Sequence, residues 1–199
     1  MNTRAIDSLI TWASTADCRS PRIVAQWVYG YAFVSPQMGE AYRRARTGLT
    51  TNPSMDAATA LLLGRESEKD ATSTLVAIVV DNYPSDDVCT QTDADAINSQ
   101  SWFDTSVPHL QTRPGMILGK SSVARLKAQI DGYLQALLDI APDRYATEHA
   151  RLRRFENGLR TVYRQPNARW DAILQVYAGE CHEGVAKFVE LWLKYDASP

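Results

Sequence analysis

Cysteine and histidine are scarce in this 199-residue chain, and each scarcity closes off a class of protein. The three cysteines, Cys18, Cys89 and Cys181, are an odd number at wide spacing. A disulfide framework wants an even set in a shorter chain, so reduced thiols in a reducing cytoplasm are expected. The three histidines stand far apart, at 109, 149 and 182. No His-Glu-x-x-His, no Glu-x-x-His and no cysteine pair at zinc spacing occurs, so neither a metal nor another cofactor is expected.

Long hydrophobic runs are missing too. The densest, Leu75 to Val80, has six residues, whereas a bilayer span needs about 20. The N-terminal residues lack the basic stretch and apolar run of a secretory signal, so no membrane association is expected. Charge of one sign is also lacking: the net value is −2. That argues against bulk nucleic acid or an anionic membrane as the dominant partner.

The chain does contain enough to fold without staples. Apolar residues make up 45% and charged residues 22%, the balance of a globular chain able to bury its own core. Its breakers are legible. Ser20-Pro21, Ser35-Pro36 and Asn52-Pro53 each set a capping residue before a proline, and Pro142 and Pro166 suit helix starts by themselves. A cap oxygen meets first-turn amides, and proline at the first helical position wastes no donor. Apolar residues then recur at helical spacing. They are Ile6, Leu9, Ile10 and Ala13; Ile23, Val24, Trp27, Val28, Tyr31 and Val34; Val123, Leu126, Ile130, Leu134, Leu137 and Leu138. Further on come Tyr145, Leu152, Phe155, Leu159 and Val162, and then Trp170, Ile173, Leu174 and Tyr177.

Thr74 to Val80 is β-branched enough for a strand, but no second strand candidate exists to pair with it, so a helix over 66–82 is expected. The fold class expected is all-α, a compact bundle of about eight helices with short antiparallel links in the C-terminal half. The domain expected is a single unit over 1–199. Its seam is expected at 81–119, between an N-terminal half (1–80) and a C-terminal half (120–199). Within the seam, one short helix near 94–103 and an irregular run over 106–119 are expected, because Pro108, Pro114 and Gly115 interrupt it.

Several strings invite chemistry. Gly115 to Ser121 resembles a phosphate loop, but three residues rather than four separate its glycines, and no strand precedes it. Cys181-His182 is no dyad by itself, since adjacent helical side chains diverge by about 100°. The acidic stretch 81–104 holds six acids and no Lys or Arg. Its Asp86, Asp87, Asp93 and Asp95 suit a hard cation chemically but not the calcium-loop spacing, so a solvated loop is expected.

The strongest signal is basic. From Arg144 to Arg169 there are seven arginines against two acids, a net +5. Arg153, Arg160 and Arg164 fall on one narrow helical stripe, and arginine suits bidentate recognition of carboxylate or phosphate. Internal pairing, or snorkelling over the core, is the alternative for these side chains.

The reading that follows is a non-enzymatic, cytoplasmic protein-binding module, such as an inhibitor or an immunity protein that neutralises a toxin. Its contact residues would be Arg153, Arg160 and Arg164, the acidic loop Asp86, Asp87, Asp93 and Asp95, and Trp102. One alternative is an enzyme or small-molecule receptor with a pocket near Tyr145, Glu148, His149 and Cys181. The other is a DNA-binding regulator using the helices after Pro21 and Pro36, disfavoured because the first of them is too aromatic and apolar to lie on a duplex.

Overall fold

The computed structural model describes residues 4–15, 20–52, 55–64, 67–84 and 100–196. Among them every regular element is an α-helix and none is a strand. Eleven helices are described: α1 Arg4–Ala13, α2 Pro21–Ala32, α3 Pro36–Leu49, α4 Ala57–Gly64, α5 Glu68–Asp81, α6 Trp102–Thr112, α7 Pro114–Leu118, α8 Val123–Ile140, α9 Pro142–Tyr163, α10 Trp170–Ala178 and α11 His182–Asp196. No helix among the described residues is long and apolar enough to cross a membrane.

Eleven exceeds the eight expected, and the surplus is partly α6 and α7. Residues 106–119 were expected to be irregular. Instead Trp102, Phe103, Val107 and Leu110 form a buried stripe at helical spacing, and their burial outweighs the one backbone donor that Pro108 removes in mid-helix. Pro114 then opens α7, and Gly119 ends it at φ +68°, a conformation glycine adopts without steric cost.

The stretch weighed between strand and helix is α5. Ser67 caps it: its Oγ accepts from the Asp70 N–H (3.1 Å) and donates to the Asp70 carboxylate (2.7 Å). Ala71, Thr72, Leu75 and Val79 are its buried residues.

The chain divides into two compact units. One comprises 1–99 and 128–141, the other 100–127 and 142–199. The chain therefore passes between units at 99/100, 127/128 and 141/142, and α8 belongs to both.

In the first unit α2 is central, packing on α3, α4 and α5, as its nearly all-round apolar surface requires. Trp27, Tyr31 and Val28 are fully buried, and Trp12 stacks on Trp27 at 5.5 Å. The C-terminal part of α8 crosses α2 backbone to backbone. A Cβ on Gly30 would lie 1.9 Å from the Gln129 carbonyl oxygen, and one on Gly132 would lie 2.0 Å from that of Trp27. Glycine is required at both positions by proximity alone.

Beside this crossing Asp139 accepts from Ser8 Oγ (2.8 Å), Tyr31 Oη (2.9 Å) and Gln135 Nε2 (3.0 Å). The acid thus ties α1 and α2 to α8. Burial, with the Asp139 charge alongside, drives the Tyr31 phenol well above its ordinary value.

In the second unit α11 packs on α6, α9 and α10. Phe155, Trp170, Phe188 and Trp192 form an interlocked aromatic core with centroid separations of 5.0–6.2 Å. The Glu180 carboxylate receives the Ser122 hydroxyl and the Ala124 N–H (3.0 Å), while the Glu180 carbonyl receives the Val123 N–H (2.8 Å). The start of α8 is thereby capped from a residue 56 positions away. Across the two units four residues of the expected apolar stripes are exposed: Ile10 by 45%, Leu138 by 44%, Val162 by 54% and Tyr177 by 48%. Val162 and Tyr177 lie at the last turns of α9 and α10, where there is less neighbouring helix to cover them.

Candidate functional site

The densest constellation of ionisable groups lies in the second unit, around Arg151. Glu148, Arg151 and Phe155 recur at i, i+3 and i+7 on α9, which sets the acid and the base on the same side as a core phenylalanine. Ser101 caps α6 by accepting the Phe103 N–H (3.2 Å). The same hydroxyl donates to Glu148 Oε2 (2.8 Å) and accepts from Arg151 Nη1 (3.0 Å). Asp104, in the first turn of α6, accepts from Arg151 Nη2 at 2.6 Å. Asp196, at the end of α11, takes the other edge of the guanidinium, accepting from Nε at 2.9 Å and also from Nη2.

The Arg151 guanidinium carbon stands 5.8 Å from the Phe103 ring centroid and 5.9 Å from that of Trp192. Those two rings stack at 4.0 Å with 13° between their planes. Hydrogen bonds to Asp196 and then Asp104, opposed by burial, hold the guanidinium more firmly protonated than usual.

One cation thus joins α6, α9 and α11 and faces three carboxylates, of which Glu148 is only 6% exposed. Each of these acids already accepts a hydrogen bond from Arg151 or Ser101. This is a tie between helices, with the Asp104 side chain at its open edge, 64% exposed. Among the described residues no group of His, Cys, Asp and Glu side chains could hold a metal ion.

Two grooves are further candidates among the described residues. In the first unit, Ile10, Ala13 and Ser14 of α1 and its C-terminal edge face Ser73, Val76, Ala77 and Val80 of α5 across about 390 Å³. In the second, Leu110, Gln111 and Pro114 face His182, Ala186, Val189, Glu190 and Leu193 across about 340 Å³. Asp81 also lines the first groove, and His182 and Glu190 both line the second. The Glu190 carboxylate is taken by Lys187 Nζ at 2.7 and 2.8 Å.

The sequence-expected residues fall into three groups. Asp86, Asp87, Asp93 and Asp95 lie outside the described residues, as do Cys18 and Cys89. Trp102 is buried in α6, 1% exposed, edge-on to Phe103 at 5.4 Å. Of the three arginines, Arg153 and Arg160 lie on α9 and Arg164 lies beyond its end. Arg153 is exposed on α9. Arg160 donates to the Ala168 carbonyl (2.8 Å) and to Glu156 (3.0 Å). Arg164 lies just past the helix with φ +53°.

For the alternative pocket residues, His149 stacks on Tyr145 at 5.0 Å, Glu148 is engaged as above, and Cys181 is exposed at the start of α11. The groups missed from sequence were Ser101, Asp104, Arg151 and Asp196. The Glu148–Arg151–Phe155 spacing was a readable signal for Arg151, whereas the partners on α6 and α11 come from 45–47 residues away.

Arg164 has a distinctive neighbourhood. It is the one non-glycine residue at positive φ among the described residues. It occupies the position after α9 where glycine is usual, and a side chain there costs about 1 kcal/mol. The Arg160 carbonyl is met by the Gln165 N–H (3.0 Å), and Tyr177 Oη donates to the Tyr163 carbonyl (3.5 Å). The helix end is therefore satisfied without the Arg164 side chain. Tyr163 and Tyr177 pack ring to ring at 4.6 Å, and Gln165 Nε2 donates to Tyr177 Oη at 3.1 Å. Val162 and Val176 flank these tyrosines in sequence and are 54% and 76% exposed.

Comparison of the chain with protein-family models, with curated proteins and with solved structures finds no match.

Proposed function

We propose that this chain is a non-enzymatic module, built as packed helical bundles, that binds another protein through its second unit. One observation carries the reading. The buried charges of that unit are spent on one another, while Arg153, Arg154 and Arg164 are exposed without a carboxylate partner among the described residues and Val162, Val176 and Tyr177 are uncovered. By sequence the unit holds 13 basic and 9 acidic residues, a net +4, against 8 and 14, a net −6, in the other. Tyrosine and arginine carry much of the energy in protein interfaces, and unspent charge selects and steers partners. An inhibitor or immunity protein is the kind of module this suits.

The test is capture from a lysate of the native host by the wild-type chain and by an Arg153→Glu, Arg154→Glu, Arg164→Glu triple variant. Arg154 replaces Arg160 in this set because Arg160 is engaged with Glu156. The expected result is a protein retained by the wild type and lost by a variant whose thermal unfolding is unchanged. If everything captured survives the triple change, the reading fails.

A further inference from the structure

Resting on that reading, we infer that the Tyr163–Arg164–Tyr177 corner is the recognition point for an acidic segment of the partner, one that sets a carboxylate beside an apolar side chain. Three observations converge. Arg164 holds a left-handed backbone position that glycine would occupy without steric cost, and the bonds that close the helix end, from Gln165 and Tyr177, do not use its side chain. Tyr163 and Tyr177 are held by their mutual packing, at 31° between ring planes, and by the Gln165 bond to the Tyr177 hydroxyl, so an aromatic surface is ordered before any partner arrives. Three acids of the unit are already engaged: Glu156 by Arg160, Asp171 by Arg169 and Glu190 by Lys187. Arg164, exposed and next in sequence to Tyr163, has no carboxylate partner among the described residues.

A carboxylate completes that charge with fork geometry, and an adjoining leucine or phenylalanine covers the rings. A nucleic-acid backbone fits less well. It is neutralised by rows of cations, whereas this corner carries a single arginine, next in sequence to a tyrosine that packs on a second tyrosine.

The experiment is a two-dimensional amide NMR titration of the full chain with two capped peptides, EELFEE and KKLFKK, and a 12-base-pair DNA duplex. The expected result is that EELFEE shifts the amides of residues 162–165 and 176–178, more weakly as salt is raised, while KKLFKK and the duplex leave them in place. Arg164→Glu weakens EELFEE at least about tenfold. Arg164→Gly weakens it similarly yet raises the melting temperature, because glycine relieves the left-handed position; that separates recognition from folding.

Equal shifts from KKLFKK, or tighter binding of the duplex, overturn the inference. So does a melting temperature lowered by Arg164→Gly, which would make the side chain structural. If lysate capture succeeds through the arginines while EELFEE moves none of these amides, the partner chemistry is wrong and the binding reading stands. If both fail, both are overturned.

Discussion

The crossing of α2 and α8 makes one chemical change, Gly→Ala, act with opposite sign at different places. At Gly30 the new methyl would sit 1.9 Å from a backbone carbonyl oxygen, far inside the roughly 3.5 Å at which such atoms rest. The obstacle is main chain on another helix, so no side chain can rotate away. Relief requires the helices to part by more than about 1 Å, which strips dispersion contacts from Trp27, Tyr31 and Tyr133 at the same time. Overpacking costs about 1–3 kcal/mol and the lost contacts add to it, while alanine's better helix propensity returns about 1 kcal/mol.

The expected net loss is about 2–4 kcal/mol for Gly30→Ala and a similar amount for Gly132→Ala. Gly48, near the end of α3, has nothing within 4 Å of its would-be Cβ. The same change there should stabilise by up to about 1 kcal/mol. Urea unfolding followed by circular dichroism reads all three. The Gly30→Ala, Gly132→Ala double variant should cost less than the sum of its parts, because helices already pushed apart admit the second methyl. If Gly30→Ala is no worse than Gly48→Ala, or if the double variant is strictly additive, the crossing is not as close as argued.

Further outcomes can be checked independently. Arg151→Met should cost about 3–5 kcal/mol in denaturant titration, since it strands the buried Glu148 carboxylate. Ser67→Ala should cost about 1 kcal/mol through loss of the α5 cap. Arg43 and Arg44 hold the partly exposed Glu40 carboxylate down to about 2. A depressed folded value means that its stabilising contribution is present above the ordinary carboxylate range and is lost as pH falls towards 2. An NMR titration should place Glu40 there and show it rising in high salt. Tyr31 works in the opposite sense. Its folded phenol is raised, so stability is intact below pH about 10 and falls at higher pH. Ultraviolet titration should show this tyrosine ionising only as the chain unfolds, and Tyr31→Phe should flatten the alkaline decline.

The helical architecture was legible because its punctuation is local. A serine before proline, or a glycine after the last apolar residue, acts within one turn, and α2, α3 and α9 start where their prolines stand. The helix through Pro108 was not legible. The breaker is also local, whereas the burial of Trp102, Phe103 and Leu110 that overrides it is tertiary. Likewise periodicity placed Val162 and Tyr177 on inward stripes, but a stripe does not say where the neighbouring helix ends. The arginine-rich character of α9 was visible, but not its division of labour. Arg151 lies inside a ring of acids brought from α6 and α11, Arg160 folds onto its own helix, and Arg164 steps off the helix altogether. The need for glycine at 30 and 132 was hidden, since closeness between segments 100 residues apart leaves no mark on either segment alone.

Because α8 gives its first residues to one unit and the rest to the other, no single cut yields either unit as a contiguous fragment. A fragment stopping at residue 99 would leave Gly30 facing water, and Tyr31 would lose its acceptor. During synthesis the first unit has to wait for residue 141 to leave the ribosome before it can close, while its apolar α2 surface stays uncovered. Anyone seeking the minimal folding piece of this protein would have to join 1–99 to 128–141 through a new linker instead of trimming the ends.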